Sequence, residues 1–152
     1  MAEANPHAAA QPFHRRRGER ALRIIVLDDD ADTVETLSAV LRQVGHDVYG
    51  VSNGKDVLPT ARFVRPDAII LDISVPGMSG YAVAQTLRQS FTEARRPLLI
   101  AISGVWKEAS DRQVAQQVGF DHHLVKPCDP QDVLALLDLL HRPDPAPGLE
   151  PR

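Results

Sequence analysis

Five short apolar runs, with room for a helix between each pair, restrict the fold of this 152-residue chain more than any other feature. The runs occupy residues 24–27, 48–51, 68–71, 98–102 and 123–125. Their first residues lie 24, 20, 30 and 25 positions apart. Because these gaps are far longer than a hairpin turn, the pattern predicts strands that alternate with helices.

The segments between the runs, and the one after the last, carry apolar residues at helical spacing. Five stripes predict five helices: Val34, Leu37, Leu41 and Val44; Val57 and Ala61; Val83 and Leu87; Val114 and Val118; Val133, Leu136, Leu137 and Leu140. Gly45 follows the first stripe as a helix stop, and Asp129 and Pro130 precede the last one as N-cap and first residue.

Strands that alternate with amphipathic helices are typical of repeated βαβ units. Such units build an α/β fold, here a doubly wound five-stranded parallel sheet with helices on both faces. In an open sheet of this kind, ligands bind beyond the carboxyl ends of the strands. The fold therefore predicts the edge at which functional side chains should collect.

Composition sets the expected limits of the ordered part. Residues 1–20 hold two prolines and the arginine run at 15–17, and residues 142–152 hold four prolines. Neither segment offers enough apolar surface to offset the entropy of ordering. We therefore expect a disordered basic tail at 1–20, one domain at 21–141 and a disordered proline-rich tail at 142–152.

Charge and hydropathy narrow the expected partners. The net charge is −3, and residues 21–141 carry −5, because the first tail contributes +2 and the second contributes zero. This balance disfavours a nucleic-acid partner. No signal-like segment begins the chain, and apolar runs such as 98–102 are too short to span a membrane. With only Cys128 as a thiol, we expect a cytoplasmic protein that binds neither nucleic acid nor membrane.

Four of the five predicted strands end in side chains that suit phosphate chemistry. They are Asp28, Asp29 and Asp30 after the first strand, Asp72 and Ser74 after the third, Ser103 after the fourth and Lys126 after the fifth. Crowded carboxylates repel each other, and a divalent cation such as Mg²⁺ relieves that repulsion. With an ammonium and a hydroxyl beside them, they form a cradle for a phosphoryl group, in which one aspartate is the nucleophile.

Each of these residues also has a purely structural explanation. One of residues 28–30 can cap the first helix, and Asp72 can form a turn. Ser103 can be a turn or cap hydroxyl, and Lys126 can be a surface lysine. For any one residue alone, these explanations compete with function. The joint occurrence of all of them at matched strand ends favours a functional site.

Two other motifs share these acids. Residues 28–33 begin like a calcium-binding loop, but Thr33 stands where that loop needs glycine and Ala39 where it needs glutamate, so we reject it. Residues 30–34 fit the pattern D-x-D-x-[TV], which resembles the nucleophile motif of haloacid-dehalogenase-type phosphatases. Two acids separate Asp30 from the apolar strand, and a phosphatase of this type stays an alternative.

Four segments follow one another along the chain: IIVLDD at 24–29, IILDISVPGMSG at 69–80, IAISG at 100–104 and HLVKP at 123–127. Together they resemble the response-regulator receiver domain of two-component signalling, over residues 21–141. The resemblance is to single-domain chemotaxis regulators or to the receiver modules of hybrid kinases. It implies a flavodoxin-like sheet with the strand order 2-1-3-4-5.

The resemblance also implies a role for the acids and for Ser74. Asp72 would be the phosphoacceptor. Asp28, Asp29 and Asp72 would hold Mg²⁺ together with the backbone carbonyl of Ser74. Metal and lysine would then neutralise the phosphoryl oxygens while the carboxylate attacks in line.

Two further residues would act when the phosphoryl group arrives. Ser103 would be the switch hydroxyl, and Lys126, before a cis peptide bond to Pro127, would pair with another phosphoryl oxygen. The family couples the hydroxyl to an aromatic residue three positions before the lysine. This chain has His123 there, and its role as a switch residue is a hypothesis.

The resemblance implies a single-domain response regulator, since only the proline-rich tail follows the last predicted helix. The chain would accept a phosphoryl group on Asp72 from a histidine kinase or phosphotransfer protein that docks on the first helix. It would then change the surface that binds a downstream protein. It would phosphorylate and dephosphorylate itself without being a turnover enzyme. A constitutive adaptor that ignores phosphate is the other alternative.

Overall fold

The computed structural model describes residues 20–74, 78–92, 94–104 and 119–141. Its strands are β1 (Arg23–Leu27), β2 (Asp47–Val51), β3 (Ala68–Asp72), β4 (Leu98–Ser103) and β5 (His122–Val125). Its helices are α1 (Ala31–Val44), α2 (Val57–Val64), α3 (Gly80–Ser90) and α4 (Pro130–Leu137). Short 3₁₀ turns span Gly54–Asp56 and Asp138–His141. Residues 1–19 and 142–152 of the predicted tails, residues 75–77 of the loop after Asp72 and the predicted helix around Val114 and Val118 lie outside the described residues.

The five strands form one sheet in the order β2-β1-β3-β4-β5, and every neighbouring pair is parallel. This confirms the predicted doubly wound fold and its strand order. Crossover connections put helices over both faces of such a sheet, which explains why its strands are apolar on both sides. Four of the five residues of β1 and all five of β3 are buried.

Alternation along the strands divides the core into two layers. In β1, Ile25 and Leu27 pack on the face covered by α2 and α3, whereas Ile24 and Val26 pack on the face covered by α1 and α4. Successive side chains of a strand point to opposite faces, so a central strand must be apolar at every position. Both layers are needed to enclose the sheet.

The helix ends follow the predicted signals. Gly45 ends α1 in the left-handed conformation with φ 105°, which glycine adopts without strain. Asp129 caps α4 through the backbone N–H of Gln131, and Pro130 is its first residue. The predicted last stripe extended to Leu140, but the α-helix ends at Leu137 and continues as a 3₁₀ turn. Within the described part of the chain, no helix has the length and apolar character that a bilayer crossing requires.

Gly80, the first residue of α3, lies against the backbone that follows β3. A Cβ atom added there would lie 2.6 Å from the Ile73 Cα and 3.3 Å from the Asp72 carbonyl oxygen. We therefore expect Gly80→Ala to lower the free energy of unfolding by about 1–3 kcal/mol, because the backbone must shift. Urea denaturation followed by circular dichroism measures this change.

Gly104 provides the matched control, since a Cβ atom there would meet nothing within 4 Å. Gly104→Ala should change the free energy of unfolding by less than about 0.5 kcal/mol. Equal losses in the two variants would contradict a steric cause at Gly80.

Candidate functional site

Parallel strands bring side chains from distant parts of the sequence to one edge of the sheet. Asp28 and Asp29 directly follow β1, Asp72 is the last residue of β3, and Ser103 is the last residue of β4. Lys126 directly follows β5. In the register, Asp72 pairs with Ile102 and Ser103 with Val125. The end of β4 therefore lies one residue beyond the end of β3 and level with the end of β5.

Three of the predicted carboxylates form a cluster. Asp28, Asp29 and Asp72 each offer an oxygen atom, and these atoms all lie within 4.8 Å of one another. Asp28 and Asp72 are 2% and 5% exposed, whereas Asp29 is open to solvent. Carboxylate oxygens with an open side are the ligands that a hydrated Mg²⁺ ion prefers. The donor set is thus consistent with Mg²⁺ binding.

Lys126 joins two members of this cluster. Its Nζ atom lies 2.8 Å from Asp72 Oδ2 and 2.8 Å from Asp28 Oδ2. The peptide bond to Pro127 is cis, as predicted, and the backbone N–H of Lys126 donates to the Ser103 carbonyl at 2.8 Å. Burial lowers the pKa of Lys126, but the hydrogen bonds to the two carboxylates and the attraction of their negative charges together outweigh burial and raise it.

This arrangement makes ionisation of Asp28 less favourable than it is in water. Burial raises the pKa of Asp28, and the negative charge of Asp72 acts in the same direction. The hydrogen bond from Lys126 and the one from the Asp30 backbone N–H, at 2.9 Å, oppose this shift without cancelling it. A carboxylate in this position gains from any additional cation nearby.

The two oxygens of Asp72 have different partners. Oδ2 accepts the hydrogen bond from Lys126, and Oδ1 accepts one from the backbone N–H of Ser74 at 2.9 Å. The backbone N–H of Ile73 donates to the Ile102 carbonyl at 3.0 Å, which ties this segment to β4. These bonds fix the orientation of the carboxyl group. The predicted role of the Ser74 carbonyl in metal binding stays a prediction.

Asp30 serves as the N-cap of α1. It accepts hydrogen bonds from the Asp32 backbone N–H at 3.1 Å and from Thr33 Oγ1 at 2.7 Å. The bond from Thr33, followed by the bond from Asp32, lowers the pKa of Asp30. The capping explanation is therefore confirmed for this one of the three acids. It also weighs against Asp30 as a phosphatase nucleophile, because the side chain is exposed and committed to the helix end.

The predicted switch residues lie on β4 and β5, the two strands beyond β3 in the sheet. Ser103 and His123 are both half-buried, and His123 lies opposite Ala101 in the β4–β5 register. Their predicted movement stays a hypothesis.

Cys128 packs against the core layer under α1 and α4. Burial, together with the negative charges of Asp132 and Asp129, raises the pKa of its thiol to about 11. This protonated thiol fits the interpretation of a small apolar side chain.

Sequence reasoning did not predict the contact between Lys126 and Asp28. It assigned Lys126 to a phosphoryl oxygen and Asp28 to the metal. The strands that carry these residues, β1 and β5, are separated in the sheet by β3 and β4. The only sequence signal was the position of both residues directly after apolar runs.

Comparison with known proteins identifies the class. The sequence-family model of the response regulator receiver domain matches residues 24–138 of the chain. The chain belongs to this family. It is therefore a receiver domain of two-component signalling, a family in which phosphorylation and Mg²⁺ binding are typical.

Individual relatives agree with this assignment. The chain is 33% identical over 113 residues to the DNA-binding response regulator MtrA of Mycolicibacterium paratuberculosis, covering 74% of the chain but only 48% of that protein. A receiver domain from Bermanella marisrubri is 30% identical with a TM-score of 0.71, covering 81% of this chain and all of that one. The receiver domain of the sensor histidine kinase PA1611 of Pseudomonas aeruginosa, solved with magnesium in its active-site cleft, is 26% identical with a TM-score of 0.69, covering 79% and 97%.

Replacing Lys126 with methionine removes the ammonium group and keeps most of the side-chain length. Asp28 and Asp72 then lie close together without a cation. We expect the free energy of unfolding at pH 7 without Mg²⁺ to fall by about 1–3 kcal/mol, less than for a fully buried pair because Lys126 is 29% exposed. Urea denaturation measures the change.

Acidification should return part of this loss. The pKa of Asp28 is already raised above its ordinary 3.8, and Lys126→Met removes the hydrogen bond and the positive charge that lower it. The variant therefore gains more stability than the unmodified protein as the pH falls. The deficit of Lys126→Met should therefore be smaller at pH 5 than at pH 7. Lys55→Met, at an exposed lysine, controls for the loss of one charge. An identical deficit at both pH values would argue against carboxylate repulsion.

Proposed function

We propose that this chain is a phosphoacceptor that receives a phosphoryl group on Asp72 from a phosphohistidine. The observation that supports this most is the contact of Lys126 Nζ with Asp72 Oδ2 at 2.8 Å, beside two further aspartates. This combination places a nucleophilic carboxylate, a fixed cation and an acidic cluster within a few ångströms. A turn or a helix cap needs none of these contacts.

The transfer reaction uses the carboxylate of Asp72 as the nucleophile. One of its oxygens attacks the phosphorus atom, the phosphorus–nitrogen bond of the donor breaks, and the histidine leaves with its electron pair and is protonated from solvent. The product is an acyl phosphate on Asp72. Lys126 then pairs with one phosphoryl oxygen, and the Ser103 hydroxyl meets another. Catalysis in this scheme consists of positioning and charge neutralisation.

We assign Mg²⁺ to the carboxylates of Asp28, Asp29 and Asp72 and the backbone carbonyl of Ser74. The raised pKa of Asp28 supports this assignment, because a nearby cation would relieve the crowding of negative charge. When bound, the ion supplies positive charge to the phosphoryl oxygens. Asp29 remains on the open side of the cluster, where water and phosphate reach it.

The donor would be a histidine kinase or a phosphotransfer protein that docks on α1. A groove of about 580 Å³ runs beside this helix to Lys126, which contacts two acids of the cluster, and Thr33, Thr36, Leu37 and Cys128 are among its other lining residues. A donor helix seated there would bring its histidine to the edge where Asp72 lies. The groove thus links a partner surface to the reacting carboxylate.

We propose that phosphorylation changes a surface that binds a downstream protein, with Ser103 and His123 as the moving residues. The chain spans only about half the length of the curated relatives that it matches. The DNA-binding function in the name of such a relative belongs to that protein. For this chain we propose a cytoplasmic regulator with its receiver domain at 21–141, which acts through protein partners. It would not be a turnover enzyme on a free substrate.

Asp72→Asn should abolish phosphorylation, because the amide nitrogen and oxygen cannot attack the donor as the carboxylate does. We expect one base-labile phosphoryl adduct per chain after incubation with acetyl phosphate and Mg²⁺ in the unmodified protein, and none in the variant. Intact-protein mass spectrometry measures the adduct. Asp30→Asn serves as the matched control and should retain it.

The same samples distinguish the alternatives. A phosphatase of the haloacid-dehalogenase type would hydrolyse p-nitrophenyl phosphate and lose this activity in Asp30→Asn. A constitutive adaptor would form no adduct at all.

Beryllofluoride should shift the NMR resonances of the His123 ring in the unmodified protein and leave them unchanged in Asp72→Asn. Unshifted resonances in both would remove His123 from the proposed switch.

Thr36→Arg tests the docking surface. Thr36 is exposed on α1 and lines the groove beside the acidic cluster, so a longer, charged side chain should obstruct a protein donor. We expect phosphotransfer from the cognate phosphorylated donor to slow by at least tenfold, while acetyl phosphate reacts at an unchanged rate. Gln89→Arg, exposed on α3, is the control. Equal slowing with acetyl phosphate would indicate damage to the site.

A further inference from the structure

The amino-terminal edge of the sheet, opposite the acidic cluster, carries a second concave site. It is a groove of about 590 Å³, within the size range of small-ligand pockets. Five arginines line it, and we call it the arginine groove: Arg20, Arg62, Arg65, Arg95 and Arg96. They come from the segment before β1, the end of α2 and the loop after α3. Folding therefore assembles this positive charge from three distant segments.

Three of the five guanidinium groups lack an acidic partner within the described ranges. Arg20 pairs with Asp67 at 3.0 Å, and Arg96 pairs with Asp121 at 3.1 Å. The other three form no ion pair with a described carboxylate. Asp67 also lines the groove, so its described lining residues carry five positive charges against one carboxylate, in a domain that otherwise has an excess of acids.

The backbone at Arg65 is a second, independent sign of a requirement for this side chain. Arg65 ends α2 with φ 54°, in the left-handed region, and it is the only non-glycine residue with positive φ among the described residues. Glycine is the usual residue at this position of a helix end. The chain places a guanidinium there despite the strain, and residues held in such conformations cluster at binding sites.

The donor geometry selects the class of ligand. A guanidinium group is a planar fork that binds phosphate oxygens in pairs. A single carboxylate satisfies one fork, whereas linked phosphates offer several charges and many acceptor oxygens. A long polyanion such as nucleic acid would extend beyond the groove onto an acidic domain, which repels it. The buried ring of Pro66 and the half-buried ring of Phe91 give the groove an apolar floor for an organic group.

We propose that the arginine groove binds a small ligand with two or more linked phosphate groups, such as a nucleoside diphosphate. The groove and the acidic cluster lie at opposite edges of the sheet, so this ligand does not compete with phosphorylation of Asp72. The site is separate from the proposed phosphoacceptor function and can fail or succeed independently of it.

Isothermal titration of the full chain in EDTA tests the ligand class, with pyrophosphate, ADP, orthophosphate and adenosine as probes. Pyrophosphate and ADP should bind with a stoichiometry of one, and orthophosphate and adenosine at least tenfold more weakly. Tighter binding of ADP than of pyrophosphate would identify a nucleotide as the source of the phosphates, and equal binding an inorganic one. Absence of binding by both diphosphates would overturn the proposal.

Arg65→Gly is the informative variant, since glycine suits the backbone conformation while the substitution removes the whole side chain with its guanidinium group. We expect it, and Arg62→Gln, to weaken diphosphate binding by about tenfold each. Lys55→Gln, an exposed charge after β2 at the opposite edge, should change it less than twofold. An equal loss in Lys55→Gln, or binding only to single-stranded DNA, poly-glutamate or anionic vesicles, would overturn the proposal.

Discussion

The ammonium group of Lys126 lies between two carboxylates, and the carboxyl edge of the sheet depends on this contact. Its Nζ atom is 2.8 Å from both Asp28 and Asp72, which are otherwise almost completely buried. Two buried carboxylates side by side are unfavourable unless a cation accompanies them. The interaction that permits their burial also holds positive charge where the oxygens of a phosphoryl group on Asp72 would lie. Stability and chemistry therefore share one contact.

The rigidity of this edge comes from the position of β3 within the sheet. Asp72 ends a strand that is hydrogen-bonded on both sides, and the next residue, Ile73, is bound to β4 and to Gly80. The close approach of Gly80 leaves no space for a side chain at the start of α3. A central strand and a fixed loop start therefore hold the carboxylate that we propose as the nucleophile, so it would need little reorganisation before it reacts.

Most of the fold could be predicted from the sequence because apolar periodicity reports burial directly. The strand order could not, since periodicity is the same whichever strands are neighbours, and only the family resemblance implied it. The apolar runs also predicted the ends of β3 and β4 one residue too early. The polar residues Asp72 and Ser103 continue the strand pairing in the structure.

The site was predictable in part for the same reason. Residues after apolar runs were expected at one edge, and Asp28, Asp29, Asp72 and Lys126 are indeed together there. The contact of Lys126 with Asp28 depends on the three-dimensional shape of the edge, because two strands separate β1 from β5. No spacing along the chain encodes it.

The direction of the helices explains why the two edges of the sheet differ in charge. The caps of α1 and α4, Asp30 and Asp129, lie at the acidic edge, where the positive ends of the helix dipoles favour anions. Arg62 and Arg65 lie at the opposite, negative end of α2. The dipole interaction decays within about one turn, so it does not extend to Arg95, five residues beyond the end of α3. Helix direction thus explains why arginines are tolerated at this edge, but not why three separate segments direct them to one groove.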